Sequence, residues 1–446
     1  VPLLRPRPAR RRARAAACVA AATLVWPSDQ AAAVPAAAPA LAPGPDAVER
    51  MDVDAAVAEA LRHNLQLLAQ TYEVPLARAE VVTARLRLNP TLSLGADHLD
   101  LLGTHYDNVN HAGPQEFFVR TDVMLRGGRK RQRRIEVAET GVVVAEQQLR
   151  DAVRRLVRDV QCACVDVQYA AAAVELAAIN RELYARVIAL NEIRVGTGDL
   201  ARVDLTRAQI AELQARNELR QAQGAQKIAA NNLALLLGRT RPAAAIFVTG
   251  EMRADAAAYS LTDIRAQALR QRPDLQAARS ELRFTEFDVR RQIAEGKVDF
   301  SLGVEARRQQ GLAGTGNSLG FFFVVPLRLF DRNQGQIERA RQQAGQAEQR
   351  ALAVEQSIRI EAENAHVDYE VARDLLRSFE GGMLAKAEQV LATAEYAYER
   401  GEAGLIELID AQRAFNETRL TYNEARASFA KSLYVIDAVT ARESPQ

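Results

Sequence analysis

Two periodicities alternate along this chain. Leu92, Leu94 and Ala96 alternate with Ser93, Gly95 and Asp97, and Phe117, Val119, Thr121, Val123 and Leu125 alternate with a more polar set. The pattern returns with Leu302, Val304 and Ala306 against Ser301, Gly303 and Glu305, and again with Leu319, Phe321, Phe323, Val325 and Leu327. A period of two gives each residue set its own face of a β-strand, which predicts strands at about 90–98, 116–126, 298–307 and 319–329. Leu99 to Gln115 and Arg308 to Ser318, which join the members of each pair, are polar and rich in Gly, Asn and His. They read as exposed hairpin loops.

Elsewhere the pattern is helical. No proline occurs between Pro114 and Pro242 or between Pro326 and Pro445, and both stretches are rich in Ala, Leu, Glu, Gln and Arg. Each predicts a long helix, a glycine-containing break and a second helix, at about 129–194 and 199–237, then 334–399 and 404–438. At 1.5 Å per residue the first spans roughly 100 Å. Helices of that length persist only when packed side by side.

The same order of elements occurs twice, and the sequence repeats with it. Ala60-Leu61-Arg62 matches Ala268-Leu269-Arg270, Leu65-Gln66 matches Leu275-Gln276, Leu125-Arg126 matches Leu327-Arg328, and Ile135-Glu136 matches Ile337-Glu338. The chain is a tandem duplication with a period a little above ~200 residues. Its expected organisation is a first repeat over 52–240 and a second over 260–440, with a linker at 241–259 and a tail at 441–446. A Pro/Ala-rich linker at 39–51 precedes them.

The predicted strands are about as long as an outer-membrane crossing requires. Four strands per chain cannot close a membrane barrel, and open edges are not tolerated in lipid, so membrane strands require oligomerisation. Two copies would give eight strands around a filled interior, whereas three would give twelve and leave room for a lumen. A soluble four-stranded sheet is the alternative, against which stands the lack of an element to cover its second face.

Composition agrees with long helices more than with a globule: aromatics are 5% and charged residues 26% of the 446 residues. Much of the positive excess behind the net charge of +2 lies in Arg5, Arg7, Arg10, Arg11, Arg12 and Arg14. No basic face remains that would make nucleic acid a partner. That basic stretch, an apolar stretch from Ala15 to Trp26 and small residues through Ala38 have the layout of a secretory signal over 1–38, the alternative being an unstructured leader. Cys18 raises lipid attachment as a further alternative. Beyond the leader no uninterrupted run of 18 apolar residues occurs. Cys162 and Cys164 point to different sides of one helix and read as small hydrophobic residues.

Three motifs resemble the TolC family of outer-membrane efflux proteins over nearly the whole chain after the leader. The first is the strand-to-helix junction, LRGGRKRQRRIEVAE from Leu125 and PLRLFDRNQGQIERAR from Pro326, the latter most similar to the heavy-metal, CzcC-like branch. The second is NPTLSLGAD from Asn89, and the third is the pair of helix breaks, RVGTGDLARVDLTRAQ from Arg194 and ERGEAGLIELIDAQRA from Glu399. The resemblance implies a mainly α fold with a small β part, a homotrimer whose twelve-strand outer-membrane barrel continues into a twelve-helix periplasmic tunnel. It implies outer-membrane lipid, a periplasmic adaptor (membrane fusion protein) and an inner-membrane pump of the resistance-nodulation-division type as partners.

By the same resemblance the adaptor-contacting tip comprises Val195, Gly196, Thr197 and Gly198 with Gly401, Glu402, Ala403 and Gly404. The periplasmic gate falls on Ile406, Asp410 and Arg413 and their repeat equivalents Leu200, Asp204 and Arg207. Residues three and four apart share a helix face, so each trio can line a pore or pair with a neighbouring helix. An ordinary exposed helical ion pair is the plainer reading.

The basic run Arg126, Arg129, Lys130, Arg131, Arg133 and Arg134 reads either as an electrostatic contact with headgroups or lumen or as a solvated helix start in need of a local partner. His98, His105 and His111 lie beside Asp97, Asp100 and Asp107. Their spacing admits a metal, though turn chemistry explains the composition equally and no metal site is assigned. Cofactor motifs are absent, since GLAGTGNS from Gly311 lacks the lysine of a phosphate loop, and no catalytic constellation supports an enzyme. An efflux exit duct is therefore expected. A type I secretion duct, a soluble periplasmic coiled-coil scaffold or adaptor, and an intracellular helical protein are the alternatives.

Overall fold

The structure, a computed structural model, describes residues 48–99, 101, 103, 115–239, 245–255, 258–311 and 314–442. The basic and apolar leader, Cys18, His105 and His111 lie outside them.

The first repeat begins with a short strand β1 (Val48–Met51) and helices α1 (Val53–His63), α2 (Leu65–Thr71) and α3 (Glu73–Arg85). Strands β2 (Thr91–Asp97) and β3 (Glu116–Leu125) then lead into α4 (Lys130–Thr197), which turns back as α5 (Arg202–Leu236). The second repeat follows β4 (Ala245–Val248), with α6 (Leu261–Gln271), α7 (Pro273–Glu295), β5 (Phe300–Gly311), β6 (Gly314–Val324), α8 (Gln334–Ser378), α9 (Leu384–Glu399) and α10 (Leu405–Thr440). The 68 residues of α4 make a rod of roughly 100 Å.

Three sequence expectations need correction. Most of the stretch 308–318 is strand and not loop: Arg307 to Gly311 pair with Ser318 to Gly314. Strand β6 accordingly starts earlier than 319 and ends at Val324, two residues before Pro326, whose missing N–H cannot extend the ladder. The expected helix over 334–399 is interrupted by a kink at Phe379–Met383, where Gly382 leaves the helical conformation at φ 121°. Only glycine adopts that conformation readily.

The linkers also hold structure that alternation does not reveal. Strands β1 and β4 pair in parallel, Val48 opposite Ala245 through Met51 opposite Val248. The four longer strands form one antiparallel sheet in the order β2-β3-β5-β6.

Each repeat has its own core midway along the helices. In the first, Ala56 and Ala60 of α1 pack with Val160 and Cys164 of α4, Leu233 of α5 and Ile246 of β4. In the second, Ile264, Leu275, Ile358, Tyr369, Leu433 and Ile436 join α6, α7, α8 and α10. An ionic band bridges the repeats. Arg154 of α4 pairs with Asp151 at 2.6 Å and donates to the Ala438 carbonyl of α10 at 2.9 Å. Arg272 binds Asp274 and Glu361, both at 2.5 Å. Burial works to raise the Asp274 carboxyl pKa, but the hydrogen bond and charge of Arg272 prevail and hold it below the ordinary value.

Cys164 is fully buried and Cys162 partly so, as free thiols. Burial pushes the Cys164 thiol up to about 12, so it behaves as a small apolar side chain. Part of α4 is apolar and long enough by composition to cross a membrane, despite lacking an uninterrupted apolar run. Its buried residues pack within the helical layer against α1, α5 and the two short strands.

Candidate functional site

The sheet has two unlike faces. Strand register aligns Leu94, Val119, Ala306 and Leu319 in one row and Leu92, Thr121, Val304 and Phe321 in the next, with Val123, Leu302 and Phe323 beside them. This face is uncovered: Leu94 is 70% exposed, Phe321 78% and Phe323 66%. Leu327, Leu329 and Phe330 extend the exposed apolar surface past the end of β6. A contiguous apolar patch of that extent marks contact with another apolar phase.

The opposite face is polar and internally paired. Arg307 binds Glu305 at 2.9 Å and Glu116 at 2.5 Å, and Gln309 donates to Glu116 at 2.8 Å. Arg120 makes a two-pronged pair with Asp122 at 2.8 and 2.9 Å. Strands β2 and β6 stand at the edges of the sheet, each paired on one side alone. One chain therefore leaves two open edges and an apolar face unsatisfied.

The basic run lies where this sheet joins the helices, and it finds protein partners. Gly128 and Arg129 both adopt positive φ, 71° and 59°, to turn β3 into α4. Lys130, 1% exposed, binds Asp299 at 2.7 Å, and the Gly127 N–H donates to the same carboxylate at 2.9 Å. Arg131 donates to the Arg85 carbonyl at 2.7 Å and Arg133 to Glu136 at 2.7 Å. The local partner that a basic helix start requires is thus present for Lys130, Arg131 and Arg133, while the burial of Lys130 excludes solvent or headgroups for that residue. The DRNQG motif serves the other junction: Asn333 takes φ 66° and its amide donates to the Gln292 carbonyl of α7 at 2.8 Å.

At the far end of the helices two glycine turns lie together. Gly198 ends α4 at φ 86°, with the Asp199 N–H returning to the Arg194 carbonyl at 2.8 Å. Gly401 takes φ 78° and the Glu402 N–H returns to the Ala397 carbonyl at 2.9 Å. Both have the left-handed helix-ending geometry that glycine favours. Arg194 ties the turns by donating to the last carbonyls of α9, Tyr398 at 3.1 Å and Glu399 at 2.7 Å. Its guanidinium stands 5.3 Å from the Tyr398 ring, and the buried Tyr398 hydroxyl donates to Asn191. Sequence reading did not single out Asn191, Arg194 and Tyr398 as a group, because the partners lie about two hundred residues apart and no local pattern connects them.

The tip residues Gly196, Thr197, Gly198, Gly401, Glu402 and Gly404 are exposed, with Val195 and Ala403 half-buried. The expected gate trios differ between repeats. In α5, Asp204 and Arg207 pair at 3.0 Å, and Leu200 is half-buried just before the helix. In α10, Leu405, Leu408 and Ala411 are buried while Ile406, 57% exposed, Asp410 and Arg413 occupy the opposite side. Neither the Asp410 nor the Arg413 side chain has an ion-pair or hydrogen-bond partner among the described residues. Among the described residues no cluster of His, Cys, Asp and Glu has metal-binding geometry. His98 stands at the end of β2 with φ 56°.

Comparison with known proteins places this architecture. The Outer membrane efflux protein family model matches residues 56–239 and 264–441, the two repeats in turn. The cobalt-zinc-cadmium resistance protein CzcC of Cupriavidus metallidurans is 26% identical over 405 residues, 89% of this chain and 91% of that protein. Among solved structures, CusC superposes with a TM-score of 0.72 at 20% identity, covering 87% of this chain and 92% of that one. A membrane protein from Pseudomonas aeruginosa gives 0.73 at 20% identity, covering 91% and 99%. These structural likenesses establish the fold. With two matched segments spanning both repeats and most of its length, this chain belongs to the outer membrane efflux protein family.

Proposed function

We propose that three copies of this chain close a twelve-strand barrel in the outer membrane and form one exit duct for an efflux system. The observation that carries this reading is the sheet with one exposed apolar face, one ion-paired polar face and two open edges. Lipid satisfies the first, a water-filled lumen the second, and neighbouring copies the third. The polarity of the four strands alternates, so β6 of one copy meets β2 of the next antiparallel and the ring closes without a parallel seam.

The helices then continue the duct into the periplasm, ending at the two glycine turns. We assign Val195–Gly198 and Gly401–Gly404 to docking of a periplasmic adaptor, itself joined to an inner-membrane pump of the resistance-nodulation-division type. Asp410 and Arg413 serve as the gate with Ile406, because their charges are exposed and have no ion-pair or hydrogen-bond partner among the described residues of one chain, and so are available to a neighbouring copy. Asp204 and Arg207, already paired to each other, have a supporting part beside Leu200. The likeness to a cobalt-zinc-cadmium resistance protein supports divalent metal cations as cargo, selected by the pump. Small toxic compounds are the alternative cargo.

The test is single-channel recording of the purified full chain in planar bilayers. Discrete conductance steps are expected, and Asp410→Ala with Arg413→Ala is expected to raise the resting conductance severalfold by unlinking the gate. Wild-type protein that never conducts contradicts the duct, and a variant with wild-type resting conductance removes these residues from the gate.

A further inference from the structure

The polar face of the sheet contains large side chains that do not stand away from it. A Cβ built on Gly95 of β2 would overlap the ring of Phe118, its partner on β3. A Cβ on Gly303 of β5 would overlap the Asp122 carboxylate. On Gly320 of β6 it would meet Phe322 Cε2 at 3.1 Å. These side chains therefore lie over bare backbone, where side chains on a strand normally stand roughly perpendicular to the sheet. Gly316, nearer the hairpin on the same strand, has no such cover.

Phe118 and Phe322 are the two aromatic residues of this face, and each is held down from above. The Arg307 guanidinium stands 5.1 Å from the Phe118 ring centroid and Arg120 stands 4.2 Å from that of Phe322. Both arginines are in turn fixed by carboxylates, Arg307 by Glu305 and Glu116 and Arg120 by Asp122. Glycine removes the obstacle beneath the ring, and stacking with an ion-paired arginine keeps it there.

We propose that Gly95, Gly303 and Gly320 set the bore of the membrane barrel. Resting on the duct reading, the inference is that the flattened layer keeps the lumen wide at this level. A side chain at any of the three glycines lifts its cover into the lumen, threefold in a trimer.

The experiment is polymer exclusion on the full chain in planar bilayers, with neutral polyethylene glycols of graded size added on the barrel side. Gly95→Val is expected to move the exclusion cut-off to smaller polymers, and Gly95→Val with Phe118→Ala to restore the wild-type cut-off. Gly320→Ala, the milder change, is expected to shift it in the same direction by less and serves if Gly95→Val does not assemble. Unchanged cut-offs in assembled variants overturn the proposal while wild-type conductance leaves the duct intact. A narrowed Gly95→Val pore that removal of the Phe118 ring does not reopen also overturns it. Wild-type protein that does not conduct overturns the duct reading and this inference with it.

Discussion

Lys130 shows how a residue's surroundings decide its meaning. In sequence it is one cation among several; in the fold it is buried and neutralised by Asp299, with Glu295 at 3.7 Å. Its loss leaves a partly buried carboxylate without its charge partner, so Lys130→Ala is expected to destabilise by about 3 kcal/mol, the lower end of the range for buried pairs because Asp299 is partly wetted. Chemical unfolding of the detergent-solubilised protein measures this, and Lys130→Met with Asp299→Asn should recover part of the loss. At the tip, Arg194→Ala removes charge-assisted bonds to the end of α9, each worth about 1.5–3 kcal/mol. Hydrogen exchange should then accelerate over 397–404 but not in the mid-helix cores; unchanged exchange there would deny Arg194 its bracing part. Asp204 and Asp410, the aspartates proposed for the gate, were legible as a repeated spacing, while Asn191, Arg194 and Tyr398 were not, since contacts between hairpins leave no local trace.

Strands and helices were legible to different degrees for physical reasons. The four sheet strands alternate cleanly because one face is apolar and the other ion-paired, whereas β1 and β4, with four residues each, are too short for a period to register. The Arg, Gln, Gly and Asn residues of 308–318 suggested a loop because polar strand ends that extend the ladder resemble turns in composition. The break after Ser378 was hidden by strongly helical flanks, though the Gly381-Gly382 pair was its available signal. Between elements, the ionic band joining α4, α7, α8 and α10 carries a pH dependence. Asp274 has a depressed carboxyl pKa in the folded chain, so its contribution to stability is present above the ordinary carboxylate value of about 4 and is lost as pH falls through the depressed one. Thermal melting should therefore drop steeply below about pH 4, and Asp274→Asn should melt lower at neutral pH with a shallower acid decline. An identical acid profile in the variant would assign that pH dependence elsewhere.

The whole molecule is incomplete as a single chain, and that incompleteness organises its function. Its helices are far longer than either mid-helix core requires, its sheet has no closed edge, and its most apolar strand face is bare. The duplication supplies strands and helical hairpins in pairs, so a ring of copies repeats one design six times around the axis if three chains assemble. The number of chains is thus the quantity on which barrel, lumen, gate and bore all depend. Native mass spectrometry of the complex extracted from outer membranes in mild detergent measures it directly. The account predicts a particle of three chains, and recovery as a monomer, or from the soluble fraction, would contradict it.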